Sequence, residues 1–156
     1  MIRPMGAEDR LAELGIELPP ANPPLASYVP VAVTGSLAFV SGQVALDAGA
    51  PMWTGHVGAD VSPEDGHAAA RRCAIQALAA LKAELGSLDR ITRIVKVTVF
   101  VASAPGFTDQ PKVGNGASDF LQEVFGEAGR HARAAVGVSG LPLGVPVEVE
   151  LIAEVG

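Results

Sequence analysis

Two charged residues near the end of the 156-residue chain have the types and spacing that suit chemistry on a small carboxylated molecule. Arg133 stands at the start of one apolar run, and Glu148 lies in a second apolar run that follows a short Gly/Pro turn. A guanidinium group offers a planar fork of donors that fits a carboxylate with two hydrogen bonds. A glutamate on a neighbouring strand can orient a water molecule or move a proton. The pair therefore predicts a site for a small carboxylated molecule.

Each of these residues also has a simpler interpretation. Arg133 fits an exposed charge at a strand end or a salt bridge to Glu148, because surface arginines are common. Glu148 fits one of three solvated glutamates on one strand face, with Glu150 and Glu154, and the pattern alone does not select among them. His131 stands close to Arg133 and fits a general base, although a lone histidine is more often structural or solvated.

The composition argues against several classes of function. A formal net charge of −6 argues against a nucleic-acid surface, which normally needs a basic patch. The single cysteine, Cys73, permits no intrachain disulfide and favours a reducing compartment. No run reaches about eighteen apolar residues, and residues 1–15 lack a signal-peptide core, so we expect a soluble cytoplasmic protein away from membranes. No cluster of His, Cys and Asp has metal-ligand spacing, so we expect no metal site.

The first third of the chain predicts a short helix, an extended arm and a hairpin. Residues 7–14 suit a short helix that stops at a glycine, and the prolines that follow predict an arm without regular structure. Two apolar runs, Val29–Val33 and Leu37–Val40, are separated by Thr34-Gly35-Ser36, which is hairpin spacing. Asp47–Gly58 is rich in Gly and Pro and predicts a loop or a broken third strand.

A long helix and a well-patterned strand follow. Ser62 is placed to cap a helix that ends at Gly86, because its hydroxyl can accept from free backbone donors. The next run alternates apolar and polar residues with a period of two, which predicts a strand over Ile94–Val101. Its predicted apolar face consists of Val95, Val97, Val99 and Val101. The remaining predicted elements are a loop over Ala104–Lys112, a helix over Val113–Phe125, and strands over Ala134–Val138 and Val145–Val155.

This order of elements predicts an α/β or α+β fold, in which a mixed sheet carries two helices packed on one face. In the last strand apolar residues alternate with carboxylates, so one face is expected to be buried and Glu148 to lie on the other. The length fits a single domain over 1–156, with 1–27 as an N-terminal helix and proline-rich arm.

Four segments, taken in order, resemble the RidA/YjgF family of small trimeric proteins, also called enamine/imine deaminases. They are Tyr28-Val29-Pro30 with Phe39-Val40-Ser41-Gly42-Gln43, then Lys96–Val101, then Phe107 with Asn115, and finally Arg133–Val138 with Leu141-Pro142 and Val145–Ala153. Arg133 stands in the place of the family's arginine, and Glu148 in the place of its catalytic glutamate. The family's fold, shared with the trimeric monofunctional chorismate mutases, implies a homotrimer with pockets between subunits.

The resemblance also implies a role for each matching residue. Arg133 would bind the substrate carboxylate, and Glu148 would hold and polarise the attacking water. The implied substrate-binding residues are Tyr28, Ser41, Gly42, Phe107, Asn115 from the neighbouring subunit and, through its backbone, Ala135. Ordinary packing, turn and helix-cap roles also explain Tyr28, the Ser41-Gly42 pair and Asn115.

The chain departs from the family pattern at several positions. Ala135 stands where the family often carries a cysteine, and Ser118 stands where a tyrosine is often found. The segment Pro105–Lys112 is also distinctive and has two interpretations. In one, Phe107 and its neighbours Asp109 and Lys112 border the pocket and narrow its entrance. In the other, the segment is a structural loop that packs on its neighbours.

The resemblance implies hydrolysis of reactive 2-imino or enamino acids to 2-keto acids and ammonia. No cofactor is implied, because such a substrate is already electrophilic. Three alternatives stay open: a non-catalytic trimer that binds or senses small carboxylates, an endoribonuclease as attributed to some relatives, and a chorismate mutase. The acidic charge argues against the second, and the third rests on fold alone. The expected partners are a small carboxylated metabolite and further copies of the chain.

Overall fold

The computed structural model describes residues 3–156 as three α-helices, a five-stranded sheet and a separate two-stranded hairpin. In chain order the elements are α1 (Ala7–Glu13), β1 (Val31–Thr34), β2 (Leu37–Val44), β3 (Leu46–Asp47), β4 (Ala50–Pro51), α2 (Pro63–Leu85), β5 (Ile91–Ala102), α3 (Gln110–Phe125), β6 (Ala132–Val138) and β7 (Val147–Val155). Residues 1 and 2 of the predicted domain lie outside the described range. The short hairpin of β3 and β4 occupies the segment predicted as a loop or a broken strand.

Helix α2 forms as its terminal residues predict. The Ser62 hydroxyl accepts a hydrogen bond from the Asp65 amide at 3.1 Å, and Pro63 occupies the first turn. Gly86 follows the helix with a φ of 83°, in the left-handed region that favours glycine. Small side chains make up much of the buried face and let the helix lie close to the sheet: Ala69, Ala70, Cys73, Ala74 and Ala77.

The main sheet has the strand order β1-β2-β7-β5-β6, antiparallel throughout except for the parallel pair of β5 and β6. Strands β6 and β7 follow each other in the chain, yet β5 lies between them. The expectation that Glu148 lies on a strand next to that of Arg133 is therefore wrong. In its central position β7 gains hydrogen-bonded partners along both edges, which a place outside β6 would not provide.

Strand β5 contains a bulge that the alternating sequence does not reveal. Ile94 pairs with Ala153 of β7, and Lys96 pairs with the preceding residue Ile152, so Val95 is an extra residue in the ladder. The bulge turns Ile94 into the core, where it is fully buried, while Val95 is only partly buried. The predicted apolar face is thus correct from Val97 onwards and wrong at Val95.

Helix α3 begins earlier than predicted, at Gln110 rather than at Val113. Pro111 lies in its first turn, where a proline costs nothing because the missing amide would have no helical partner. The predicted loop over Ala104–Lys112 is therefore too long by one helical turn. Asn115 consequently lies within the helix and is not a cap at its start.

Helices α2 and α3 pack on one face of the five-stranded sheet, as predicted, and α1 packs against α3. The core between helices and sheet is apolar and includes the fully buried Leu78, Val97, Val99, Val101 and Phe120. The opposite face of the sheet is uncovered in the single chain, and Phe39 on this face is 40% exposed. Within residues 3–156, no helix is long and apolar enough to cross a membrane.

Helix α3 crosses α2 at a very short distance. A Cβ atom added to Gly116 would lie 2.8 Å from the carbonyl carbon of His67 and closer still to its oxygen. Because those atoms belong to the backbone of α2, they have little room to move. Glycine at this position therefore sets how closely the two helices approach, and with it the position of Asn115 and Ser118 on either side.

Candidate functional site

Arg133, near the start of β6, is held by side chains and backbone of α3. Its Nη1 donates to Asn115 Oδ1 at 2.9 Å and to Ser118 Oγ at 3.1 Å, and its Nη2 donates to the Pro111 carbonyl at 3.3 Å. The guanidinium group lies against Gly114, where an added Cβ would come within 3.1 Å of Nη1. The structure thus brings together Arg133 and Asn115, two of the predicted site residues.

These contacts leave part of the Arg133 fork available. They engage three of the five N–H groups that a guanidinium carries. Among the residues that the structure describes, the Nε–H and the second Nη2 hydrogen have no hydrogen-bond partner. Two donors on one planar group can bind both oxygens of a carboxylate. Arg133 is therefore an oriented cation with two donors left for an anionic ligand.

Glu148 occupies a different place, against an interruption of β2. The register between β2 and β7 shifts between Val40 and Gln43, so Ser41 and Gly42 form an irregular step in the ladder. The Glu148 carboxyl group lies directly against Gly42, where an added Cβ would be 2.8 Å from the carboxyl carbon. The lack of a side chain at Gly42 thus makes the space that the Glu148 carboxyl group occupies.

The Glu148 carboxyl group is half-buried and borders a surface cavity of about 520 Å³. Burial raises the pKa of Glu148 above its ordinary value, and the nearby charge of Glu150 raises it further. The other lining residues come from the proline-rich arm, β2, the turn before β7 and β7 itself: Leu25, Ala26, Tyr28, Ser41, Gly42, Val44, Pro142 and Glu150. A carboxyl group with a raised pKa in a concave site can exchange a proton closer to neutral pH.

The arm and β2 are tied together beside this cavity. The Tyr28 hydroxyl accepts a hydrogen bond from the Leu25 amide at 3.2 Å, which restrains the ring although the residue stays 44% exposed. The Ser41 hydroxyl donates to the Val29 carbonyl at 2.6 Å. The structure therefore brings Tyr28 and Ser41 to the cavity that Glu148 borders.

Arg133 and Glu148 lie on opposite faces of the sheet. Arg133 is level with Val97, whose side chain is fully buried beneath the helices. Glu148 is level with Phe100 on the same strand, β5, three residues further on, and side chains alternate between faces at every residue. The salt bridge considered between Arg133 and Glu148 is therefore wrong. One chain carries two separate half-sites, one around Arg133 and one around Glu148.

Two further residues of the predicted site have different surroundings. Ala135 follows Arg133 on the same face of β6 and packs against the edge of the core. Phe107 packs on Gly58, where an added Cβ would come within 3.0 Å of the ring, and its carbonyl accepts from Gln110 Nε2 at 2.8 Å. None of these contacts of Phe107 involves Arg133 of the same chain.

The rest of the Pro105–Lys112 segment lies partly beside the Arg133 half-site. Pro111 accepts a hydrogen bond from Arg133, whereas Asp109 and Lys112 form an exposed ion pair at 3.8 Å in the first turn of α3. Asp109 and Lys112 are thus neighbours of Pro111 in the sequence, but the contact with Arg133 is made by the Pro111 backbone carbonyl.

Sequence reasoning missed the part that Ser118 plays in the Arg133 half-site. Ser118 appeared only as a departure from the family pattern, yet it bonds both Arg133 and His131, at 3.1 Å and 2.9 Å. A usable signal exists in the sequence, because residues three apart on a helix share a face, which places Ser118 beside Asn115. Within residues 3–156, no group of three or more His, Cys, Asp or Glu side chains is placed to hold a metal ion.

The chain belongs to a class of proteins with this mixed α+β fold, the YjgF family. The family model described as "YjgF/chorismate mutase-like, putative endoribonuclease" matches residues 8–155. The chain is 48% identical over 145 residues to Protein TCP17 of Trypanosoma cruzi, a match that covers 92% of this chain and 91% of that protein. The predicted family is therefore confirmed.

Two solved structures show the same fold at close similarity. Atu1372 from Agrobacterium tumefaciens, a protein described as having unknown function, is 46% identical with a TM-score of 0.89, covering 96% of this chain and 92% of that one. A protein from Shewanella oneidensis, described as a "putative endoribonuclease", is 36% identical with a TM-score of 0.93, covering 97% and 100%. The predicted fold is confirmed as a mixed α+β fold of this family.

Proposed function

We propose that the protein hydrolyses 2-imino acids to 2-keto acids and ammonia at a site shared by two copies of the chain. The observation that carries the proposal is the division of the site: an oriented arginine with two available donors on one face of the sheet, and a half-buried carboxyl group beside a cavity on the other. A second chain that places its Arg133 half-site over the Glu148 cavity would complete one pocket.

The proposed chemistry uses the two half-sites for different tasks. The Nε–H and the remaining Nη2 hydrogen of Arg133 bind the substrate carboxylate and fix the imine carbon in front of Glu148. Glu148 accepts a proton from a water molecule as the water oxygen bonds to that carbon. Glu148 gives this proton to the nitrogen, which completes a carbinolamine. Glu148 then takes the hydroxyl proton and delivers it to the nitrogen as the C–N bond breaks, so that ammonia leaves and the remaining C–O bond becomes the ketone of the 2-keto acid.

The surroundings of Glu148 support this role. Its pKa is raised by burial and by Glu150, so the carboxyl group holds a proton more readily than an ordinary glutamate. A group that accepts a proton in one step and returns it in the next works best when its pKa is close to the working pH. Gly42 leaves the carboxyl group room to face the cavity.

We further propose a homotrimer as the assembly that joins the half-sites. A two-fold axis pairs one surface patch with itself, so it would join the half-sites only if both lay in that patch. Because they lie on opposite faces of the sheet, the contact that joins them is heterologous and closes as a ring. The uncovered sheet face, with Phe39 exposed, supplies apolar surface for such contacts. Light scattering at micromolar concentration measures the mass of the assembly directly, and a stable monomer would contradict the proposal.

The first experiment measures ammonia released from freshly generated 2-imino acids by the wild-type protein and three variants. Arg133→Ala removes the carboxylate anchor, and Arg133→Lys restores charge without the planar fork, so both should lose most of the activity. Glu148→Gln should retain binding of a 2-keto acid and lose roughly 10²–10⁴-fold in rate. Wild-type protein that binds 2-keto acids but releases no ammonia would instead indicate a binding or sensing protein.

The second experiment tests whether the site is shared between chains. Arg133→Ala and Glu148→Gln proteins are unfolded together and refolded as a mixture, beside each variant refolded alone. In a closed ring assembled at random, about one quarter of the interfaces combine an intact Glu148 half-site with an intact Arg133 half-site. The mixture should therefore regain about one quarter of the wild-type rate. A mixture as inactive as its components would place both residues in one chain's pocket and refute the shared site.

Endoribonuclease activity is the competing function, because the Shewanella oneidensis relative and the family description carry that word. The charge of this chain does not favour it, since a net charge of −6 repels a polyanion. A labelled single-stranded RNA incubated with wild-type protein and with Glu148→Gln separates the two functions. Cleavage that depends on Glu148, without ammonia release, would replace the proposed hydrolase by a nuclease.

A further inference from the structure

We infer that Ser118 and His131 are positioning residues that hold Arg133 in the orientation needed to bind a carboxylate. The identity of the ligand in this inference rests on the proposed function. The inference goes beyond that function because it assigns a task to two residues that do not touch the substrate. The observation behind this inference is a continuous row of hydrogen bonds, which runs from the Arg133 guanidinium through Ser118 and His131 to the Gly129 carbonyl.

The donor and acceptor of each hydrogen bond in this row can be assigned from the Gly129 carbonyl at its end. The Gly129 carbonyl can only accept, so the His131 Nδ1, 2.6 Å away, carries a hydrogen and donates it. In the neutral ring Nε2 is then an acceptor, and the Ser118 hydroxyl donates to it across 2.9 Å. The lone pairs of the Ser118 oxygen are left to accept from Arg133 Nη1 at 3.1 Å. The row therefore runs in one direction, from Arg133 to Gly129.

The row fixes Arg133 because its members have little freedom. Ser118 is buried, with 6% of its surface exposed, and its single hydrogen is committed to His131. Its oxygen therefore always presents an acceptor to Arg133. Asn115 takes the other Nη1 hydrogen, and Gly114 lies against the guanidinium plane. The guanidinium group is consequently held in one orientation, which lowers the ordering cost of binding a ligand.

Protonation of His131 would reverse this arrangement. Nε2 would then carry a hydrogen and donate it to one lone pair of Ser118, the Ser118 hydrogen would lose its acceptor, and a second positive charge would stand beside the guanidinium. Burial already lowers the pKa of His131, and the positive charge of Arg133 lowers it too, although the Gly129 carbonyl acts in the opposite sense. The charged group that faces the imidazole is Arg133 on β6, while Ser118 on α3 and the carbonyl of Gly129 are neutral. The ring is therefore kept neutral near pH 7.

The first test needs no ligand. In the full-length protein labelled with ¹⁵N, the side-chain NMR signals of Arg133 report rotation of the guanidinium and the exchange of its hydrogens. Ser118→Ala and His131→Ala should accelerate both processes, because each interrupts the row. His131→Gln should restore slow rotation, since its amide oxygen can accept from Ser118 as Nε2 does. His67→Gln, an exposed histidine on α2, is the matched control and should leave the Arg133 signals unchanged.

The second test measures binding of 2-oxobutanoate, a simple 2-keto acid, by calorimetry at pH 7.5 and pH 5.5. Ser118→Ala and His131→Ala should weaken binding at pH 7.5 by about three- to tenfold, the usual effect of one lost hydrogen bond. In the ammonia assay they should raise KM by a similar factor and leave kcat nearly unchanged. His131→Gln should bind like wild type at pH 7.5 and, because it does not titrate, should lack any change in affinity that protonation of His131 causes in the wild type at lower pH.

The outcomes separate the two proposals. If wild type neither binds 2-oxobutanoate nor releases ammonia, the proposed function fails, while the NMR test still decides whether Ser118 and His131 hold Arg133. Unchanged guanidinium rotation in Ser118→Ala and His131→Ala overturns the inference even if the protein is an active hydrolase. So does a His131→Gln variant that behaves like His131→Ala, since that result would mean that the ring contributes packing and not an acceptor.

Discussion

Replacement of Gly42 by alanine should lower the rate of the proposed reaction and leave the stability of the fold almost unchanged. The Cβ of an alanine would lie 2.8 Å from the carboxyl carbon of Glu148, whereas two carbon atoms need roughly 3.5 Å. The carboxyl carbon must therefore move by about 0.7 Å, and its nearer oxygen by more. A misplacement of about 1 Å in a reacting group can cost about 10²-fold in rate. We expect Gly42→Ala to lower kcat for ammonia release by about 10²-fold.

The same substitution should leave stability almost unchanged. The backbone of Gly42 is outside the left-handed region, so an alanine can adopt it. The atoms that the new methyl group meets are the far end of a flexible side chain, which can swing into the cavity of about 520 Å³. We expect the free energy of unfolding to change by no more than about 1 kcal/mol, measured by urea denaturation.

A matched control is available at Gly140, where an added Cβ meets no atom within 4 Å and φ is likewise outside the left-handed region. Gly140→Ala should keep both stability and kcat. A folded Gly42→Ala protein with the wild-type kcat would refute the argument, because it would show that the position of the Glu148 carboxyl group does not govern the rate. A Gly42→Ala protein that unfolds would refute the claim that the side chain can yield.

Two other substitutions test the helix contact and the cause of the raised pKa. Gly116→Ala puts a methyl group against the His67 carbonyl, which belongs to the backbone of α2 and cannot swing away. We therefore expect a loss of about 3 kcal/mol in the free energy of unfolding and a fall in Tm of about 10 °C. A Tm within about two degrees of wild type would show that α3 can move. Glu150→Gln removes the negative charge that helps raise the pKa of Glu148, so the acid limb of the kcat/KM profile should move to lower pH. The pKa of Glu148 should still stay above that of an ordinary glutamate, because burial is the larger cause of its rise. An acid limb that moves to higher pH would contradict this assignment.

The parts of the fold that the sequence predicted are those fixed by local chemistry. The capping group of Ser62 and the glycine at position 86 lie next to the helix ends that they define. In β7, successive side chains alternate regularly between the buried and the more exposed face, so the sequence pattern alone predicts which face is buried. Such features depend on a few adjacent residues and need no knowledge of the rest of the chain.

The features that escaped prediction depend on partners far along the chain. The bulge at Val95 exists only in relation to the register of β7, and the place of β5 between β6 and β7 follows from pairings across the whole sheet. Ser118 and His131 are 13 positions apart and meet only because α3 packs against the start of β6. Resemblance selected Arg133 and Glu148, but the sequence did not show that one chain holds them apart.

The position of the two half-sites on opposite faces of one sheet has a consequence for the amount of protein present. If two chains share the site as proposed, an isolated chain lacks half of it, and activity per chain would depend on concentration. Dilution well below the dissociation constant of the assembly would inactivate most copies without any inhibitor. A modest rise in expression near that concentration would increase activity more than in proportion. A cell could then set the onset of the reaction through synthesis of the protein alone.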